Sequence, residues 1–171
     1  MKVYIKTERL VLKPYTDDDR VRMIQMLTDE KIKETYMIPD FKSEEEALKL
    51  FFRLKNDSLS DKCLEAGIYL NCMLIGFVNE VDKDGDRIEL GYVIDPEYNN
   101  RGYATEALKG VMDELFRSGV KEIVTGAFES NIASIKVMQK CGMKLTQKVE
   151  DIEYHGMVHH CVYYSKKVGE N

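Results

Sequence analysis

The sequence predicts an α/β fold, a mixed central sheet flanked by helices. Three observations carry that expectation. Strand-like and helix-like stretches follow one another in the order β-α-α-β-β-β-α-β-α-β-β. Ala104, Ala107, Leu108, Val111, Met112 and Leu115 recur every three or four positions, the spacing of an amphipathic helix that buries one stripe. Between the strand-like run Arg87 to Asp95 and that helix lies Asn99-Asn100-Arg101-Gly102-Tyr103-Ala104-Thr105, which turns a strand into a helix. No repeat, linker or low-complexity tract interrupts the 171 residues, and 1–171 reads as one domain.

Each element has a local cause. Glu8 to Tyr15 alternates, with Leu10 and Leu12 on one face, until Pro14 and Asp17-Asp18-Asp19 end the strand. Thr16 or Asp17 caps a helix carrying Val21, Ile24 and Leu27. Pro39 breaks the chain, and Ser43-Glu44-Glu45-Glu46 opens a second helix with Ala47, Leu48, Leu50, Phe51 and Leu54. Strands Ala66 to Leu70 and Met73 to Val81 flank a tight turn at Asn71-Cys72, and Asp84-Gly85 is a hairpin signal leading into Ile88 to Ile94. Gly119 sits where the long helix needs a C-terminal cap. Glu122 to Phe128 is a strand, Asn131 to Lys140 a short helix closed by Gly142, and Lys144 to Ile152 and Val158 to Lys166 are the last strands.

Composition excludes several classes. A net charge of -5 and a pI near 5.3 argue against a general nucleic-acid binder and lean toward cationic acceptors. Cys63, Cys72, Cys141 and Cys161 are scattered without a Cys-x-x-Cys pair, which suits reduced thiols and a cytoplasmic location. The start, Met1 to Lys6, lacks the apolar run of a signal peptide, and no stretch is apolar enough to span a bilayer. Asp82 to Asp86 resembles a calcium loop, but Arg87 and Val93 stand where an EF-hand needs glycine and glutamate. His155, His159 and His160 fall on a turn and a strand, where neighbours point to opposite faces, so no metal site is expected.

The strand-to-helix turn is the strongest chemical signal. A helix start leaves backbone N–H groups without intrahelical partners and carries the positive end of the helix dipole, a natural seat for a phosphate or pyrophosphate. Gly102 opens backbone angles closed to other residues, Ala104 lets a ligand approach the main chain, and Arg101 adds positive charge. Asn100, Arg101, Gly102, Tyr103, Ala104 and Thr105 are therefore read as an anion cradle for a cofactor. The run lacks Gly-x-x-x-x-Gly-Lys-Ser/Thr and a full Gly-x-Gly-x-x-Gly, which excludes P-loop and Rossmann readings.

Three motifs in register carry a family likeness. They are Thr7-Glu8-Arg9-Leu10-Val11-Leu12, then Ile88-Glu89-Leu90-Gly91-Tyr92-Val93-Ile94-Asp95-Pro96 with Arg101-Gly102-Tyr103-Ala104-Thr105-Glu106-Ala107, then Asn131-Ile132-Ala133-Ser134 followed by Lys140-Cys141-Gly142-Met143. The chain resembles the GNAT superfamily of acyl-CoA-dependent N-acyltransferases, most closely its RimJ/RimL-like branch, over essentially its whole length. The resemblance implies a splayed strand pair with a bulge near Gly91, and acetyl-CoA (coenzyme A) as co-substrate. Its pantetheine would pair with the backbone at Val93 and Ile94, its pyrophosphate would sit on the cradle, and Asn131 would reach the thioester end. It implies a primary amine as acceptor, either a protein N-terminus, as in ribosomal-protein acetylation, or a small molecule. It also allows for a homodimer.

Acyl transfer to an amine needs a base, an oxyanion donor and a proton for the departing thiolate. By the resemblance Glu89 is the candidate base, and equally a carboxylate that holds the acceptor or the backbone. A backbone N–H near Val93 or Ile94 is the oxyanion donor. Many relatives place a proton-donating tyrosine where this chain has Met138, and Ser134, one turn earlier, is the replacement candidate beside its reading as a helix serine bonded to a carbonyl. Cys141 lacks an activating histidine at a telling spacing, so direct transfer in a ternary complex is expected over a covalent acyl-enzyme. A non-catalytic acyl-CoA sensor or interaction module is the second hypothesis.

Overall fold

Period-two alternation and turn chemistry produce eight strands in the computed structural model, which describes residues 3–170. Met1, Lys2 and Asn171, the ends of the span expected to form one domain, lie outside the described residues. The strands are β1 (Ile5–Lys6), β2 (Leu10–Lys13), β3 (Glu65–Leu70), β4 (Met73–Asp84), β5 (Arg87–Ile94), β6 (Glu122–Phe128), β7 (Lys144–Tyr154) and β8 (Met157–Lys167). The helices are α1 (Arg20–Leu27), α2 (Glu30–Lys33), α3 (Glu44–Leu59), α4 (Tyr103–Arg117) and α5 (Ile132–Lys140). The strands hydrogen-bond in the order β1-β2-β3-β4-β5-β6-β8-β7. Pairing is antiparallel in β1·β2, β2·β3, β3·β4, β6·β8 and β7·β8, and parallel in β5·β6. This is the mixed α/β sheet that the sequence predicts.

Local chemistry sets most boundaries as expected. Asn71 and Cys72 both take left-handed angles, φ 48° and 68°, as a two-residue type I′ hairpin turn requires. The next turn falls one residue later than expected, at Gly85-Asp86, with Gly85 at φ 59° in the first central position. The Ser43 hydroxyl accepts the Glu46 amide at 3.4 Å and starts α3. The first predicted strand is shorter than its alternation suggests. The Thr7 amide donates to the Leu10 carbonyl at 2.9 Å and the Leu10 amide to the Thr7 hydroxyl at 3.1 Å, so Glu8 and Arg9 form a turn ahead of β2.

The chain divides into two units. One comprises residues 1–79 and 92–110, the other 80–91 and 111–171. In the first, Tyr15, Met23, Met26, Phe51, Tyr69, Leu74, Phe77 and Val93 form an apolar core with α1 and α3 contributing. In the second, Val124, Phe128, Cys161 and Tyr163 pack together, with Ile152 and Tyr154 at the margin.

The first core contains a buried acid. Glu65 on β3 is 5 % exposed and accepts a hydrogen bond from the Tyr15 hydroxyl. Burial pushes its pKa up from 4.5 to about 8, against the pull of that hydrogen bond. The unfolded chain therefore loses this proton near pH 4.5 while the folded chain keeps it until about pH 8. Stability falls as pH rises through that window, because the folded state binds more protons. Glu65→Gln should remove this slope. Denaturant unfolding across the window should show the variant gaining on the wild type by about 5 kcal/mol.

Candidate active site

The end of β5 is pinned before the cradle begins. The Asp95 amide donates to the Ile75 carbonyl at 2.8 Å, and the Asp95 carboxylate accepts the Glu97 amide at 2.9 Å, starting the 3₁₀ turn Pro96–Tyr98. Arg22 Nη2 lies 2.7 Å from the other carboxylate oxygen. Val93 and Ile94 are both buried, and β4 comes very near them. A Cβ added to Gly76 would stand 2.2 Å from the Val93 carbonyl oxygen, so only glycine lets the two backbones approach this closely.

The cradle follows. Asn100 and Gly102 adopt φ of 60° and 81°, the left-handed angles that turn the chain into α4. The Glu106 amide donates to the Gly102 carbonyl at 3.0 Å and closes the first turn. The amides of Gly102, Tyr103 and Ala104 therefore stand ahead of the helical ladder, at the positive end of a 15-residue helix. Arg101 is exposed, with its guanidinium 5.7 Å from the Tyr98 ring centroid.

A latch from the first strands holds this helix start. Glu106 in the first turn of α4 accepts from the Thr7 hydroxyl at 2.6 Å, the Arg9 amide at 2.7 Å and Arg9 Nε at 2.7 Å. Arg9 Nη1 also donates to the Arg101 carbonyl at 3.0 Å, and its guanidinium stands 4.6 Å over the Tyr103 ring. Burial raises the Glu106 pKa, but these donors outweigh it and hold the carboxyl below its ordinary value. That depressed value stabilises the fold above the unfolded carboxyl's pKa, and the gain is lost as pH falls through the folded one. Arg9→Ala should cost about 1 kcal/mol at neutral pH, because solvent screens a pair whose arginine is partly exposed. In denaturant melts the difference should shrink on acidification.

Glu89 stands in the second unit, among charges and one aromatic ring. The β5·β6 pairing runs through Arg87↔Glu122, Ile88↔Ile123 and Glu89↔Val124. Glu89 is largely buried, with its carboxylate 3.6 Å from Arg87 Nη2 and 3.8 Å from Lys148 Nζ. Lys148 Nζ is also 3.6 Å from Glu150 and 3.8 Å from the centroid of the Tyr163 ring. The Tyr163 hydroxyl donates to Glu150, and burial, then that carboxylate, raises its pKa well above the ordinary phenol value.

Asn131 is the N-cap of α5. Its Oδ1 accepts the Ser134 amide at 3.1 Å, which leaves the amide nitrogen as the donor it can offer elsewhere. Ser134 is half-buried on the first turn of α5. Met138 is fully buried, and its thioether has no proton to give. Cys141 is buried at the C-terminal cap, as a structural thiol would be. Of the histidines, His155 stacks on Tyr154, His159 stacks on Phe128 at 4.2 Å, and His160 Nδ1 lies 2.8 Å from Asp151. That pairing raises the His160 pKa.

Residues 9–144 match the model of the acetyltransferase (GNAT) domain. The chain belongs to the GNAT family. It is 28 % identical over 147 residues to the uncharacterized N-acetyltransferase YnaD of Bacillus subtilis (strain 168), covering 83 % of each chain. Its fold superposes on RimL, a ribosomal L7/L12 α-N-protein acetyltransferase solved with coenzyme A. The TM-score is 0.86 at 18 % identity, covering 99 % of this chain and 100 % of that one. A GNAT-family acetyltransferase from Bacillus anthracis matches with a TM-score of 0.83 at 23 % identity, covering 96 % and 98 %.

In this GNAT protein the first unit gathers Val93, Ile94 and Asn100 to Thr105, and the second carries Glu89, Asn131 and Ser134. Sequence reasoning missed the Thr7–Arg9–Glu106 latch and the Lys148–Glu150–Tyr163 group beside Glu89. Arg9 and Glu106 are 97 positions apart, so only the fold brings them together. The second group was not legible either, because Lys148 falls between Leu145 and Val149, where the register of β7 against β8 shifts.

Proposed function

We propose that this GNAT acetyltransferase moves the acetyl group of acetyl-CoA directly to a primary amine within a ternary complex. The observation that carries the proposal is the start of α4, where successive main-chain amides precede the helical ladder and a glycine stands at φ 81°, the kind of arrangement that favours a bound anion. Relatives of the same fold support the choice of ligand, since one is described in complex with coenzyme A and another with acetyl-CoA and AMP. In this reading Asn100, Arg101, Gly102, Tyr103, Ala104 and Thr105 hold the pyrophosphate, the backbone of Val93 and Ile94 aligns the pantetheine, and Asn131 donates its amide nitrogen near the thioester. No helix among the described residues is long and apolar enough to cross a membrane. We read the setting as cytoplasmic from the sequence, whose four cysteines are scattered with no Cys-x-x-Cys pair.

The chain's own groups divide the chemistry. Glu89 takes a proton from the acceptor, whose amine is otherwise largely ammonium at neutral pH. The amide of Val93 or Ile94 stabilises the oxyanion, a donor typically contributing about 3 kcal/mol to lowering the barrier. Ser134 is the candidate donor to the leaving sulfur, in the place of the proton donor that Met138 cannot supply. The acceptor is a protein N-terminal amine or a small amine. The first is favoured by the solved relatives that modify the N-terminus of ribosomal protein L7/L12. Thiol release, measured with acetyl-CoA against N-terminal peptides and small amines, tests the proposal. Turnover on at least one acceptor is expected, and binding of acetyl-CoA without turnover on any would overturn it.

A further inference from the structure

The amine that the fold brings to Glu89 belongs to the chain itself. Lys148 on β7 places Nζ 3.8 Å from the Glu89 carboxylate and 3.6 Å from Glu150, with the face of Tyr163 3.8 Å beneath it. Two carboxylates and an aromatic face are the groups that recognise an alkylammonium. Its side chain is 41 % exposed, against 12 % for Glu89, so the lysine reaches solvent while the carboxylate beside it is sheltered. Other lysines with an acidic neighbour, such as Lys49 with Glu45 and Lys121 with Asp86, form open surface pairs with no tie to the site. We propose that Lys148 is a self-acetylation site, modified by this protein's own acetyl-transfer chemistry. The inference rests on the reading of Glu89 as the base that faces the thioester.

The step balances without any further reagent. The Lys148 ammonium gives a proton to Glu89, and Nζ then bonds to the acetyl carbonyl carbon. The carbon–sulfur bond breaks, the sulfur keeps the electron pair, and one of the two protons left on Nζ goes to it to give the thiol, the other staying as the amide N–H. Glu89 returns its proton to water. The net change is one acetyl thioester and one ammonium converted to an amide, a thiol and a proton. Acetylation would remove the positive charge between Glu89 and Glu150, leaving Arg87 as the cation beside Glu89 and the Tyr163 hydroxyl as the donor to Glu150.

The test needs no knowledge of the natural acceptor. The purified full chain is incubated with acetyl-CoA alone, and each lysine is followed by peptide mass spectrometry. Lys148 should acquire acetyl at least ten times faster than Lys49 or Lys121, at a rate independent of protein concentration. In Glu89→Gln the selectivity should vanish, with retained acetyl-CoA-dependent thermal stabilisation showing that this variant is folded and loaded. Lys148 reacting no faster than Lys49, or equally fast in Glu89→Gln, would overturn the inference as ordinary solution acylation. Turnover on added amines with Lys148 unmodified would overturn it while leaving the proposed function standing. No thermal stabilisation and no thiol release would remove both.

Discussion

Acetyl-CoA at a hundredfold excess over its dissociation constant should raise the melting temperature by roughly 5–10 °C, and Gly102→Glu should erase the rise. The size follows from ligand linkage. Such an excess contributes about 2.7 kcal/mol, and a chain of this length moves by about 2–4 °C per kcal/mol. The loss follows from geometry. Gly102 sits at φ 81°, where an L side chain costs about 1–2 kcal/mol, and its main chain opens the turn whose amides are to receive the diphosphate. A glutamate adds a carboxylate at the one place where the helix dipole and the free donors call for an incoming anion. Folding should survive, because the nearest atom to a new Cβ is Arg9 Nη2 at 3.4 Å, the end of a flexible side chain. Gly102→Ala separates the two causes. It carries the strain without the charge and should keep most of the stabilisation. A full ligand-induced shift in Gly102→Glu would mean that coenzyme A is held elsewhere.

Glu89→Gln should lower kcat/KM by a factor of about 10²–10⁴, the usual worth of a positioned general base. The substitution keeps the shape of a side chain that is only 12 % exposed, so the lost function is the proton acceptor and not the packing. Arg87 and Lys148 both lie within 4 Å of the carboxylate, and some of the deficit will reflect their lost partner. The pH profile isolates the base. If Glu89 removes a proton from the acceptor, the deficit should narrow at alkaline pH, where more amine is already neutral. A constant deficit across pH would assign Glu89 to holding the acceptor's charge instead.

Much of this fold could be read locally. The spacing of Ala104, Ala107, Leu108, Val111, Met112 and Leu115 announced α4 because a helix repeats its buried stripe within its own residues, and all but the half-buried Ala104 are buried. Glu122 to Phe128 and the Asn71-Cys72 turn were equally legible, since each depends on near neighbours alone. The strand–turn–helix run proposed as the anion cradle was legible for the same reason. It is a strand, a turn and a helix start in a single run. Pairing was not legible. Nothing in Lys144 to Lys167 says that β8 lies between β6 and β7, because a strand shows which face is buried but not which neighbour it takes. Strand β1, of two residues, and helix α2, of four, are too short for any period to register. The latch on Glu106 and the ring of groups around Lys148 join positions far apart in the chain, and charge alone at Arg9 or Lys148 reads as ordinary solvated surface.

What most directly tests the central claim, that main-chain amides at the start of α4 hold the coenzyme's diphosphate, is an amide ¹H–¹⁵N spectrum of isotopically labelled protein titrated with coenzyme A. The signals of Gly102, Tyr103, Ala104 and Thr105 should move furthest and saturate together, with Val93 and Ile94 following. Saturable binding that leaves those four amides unmoved while others shift would contradict the account.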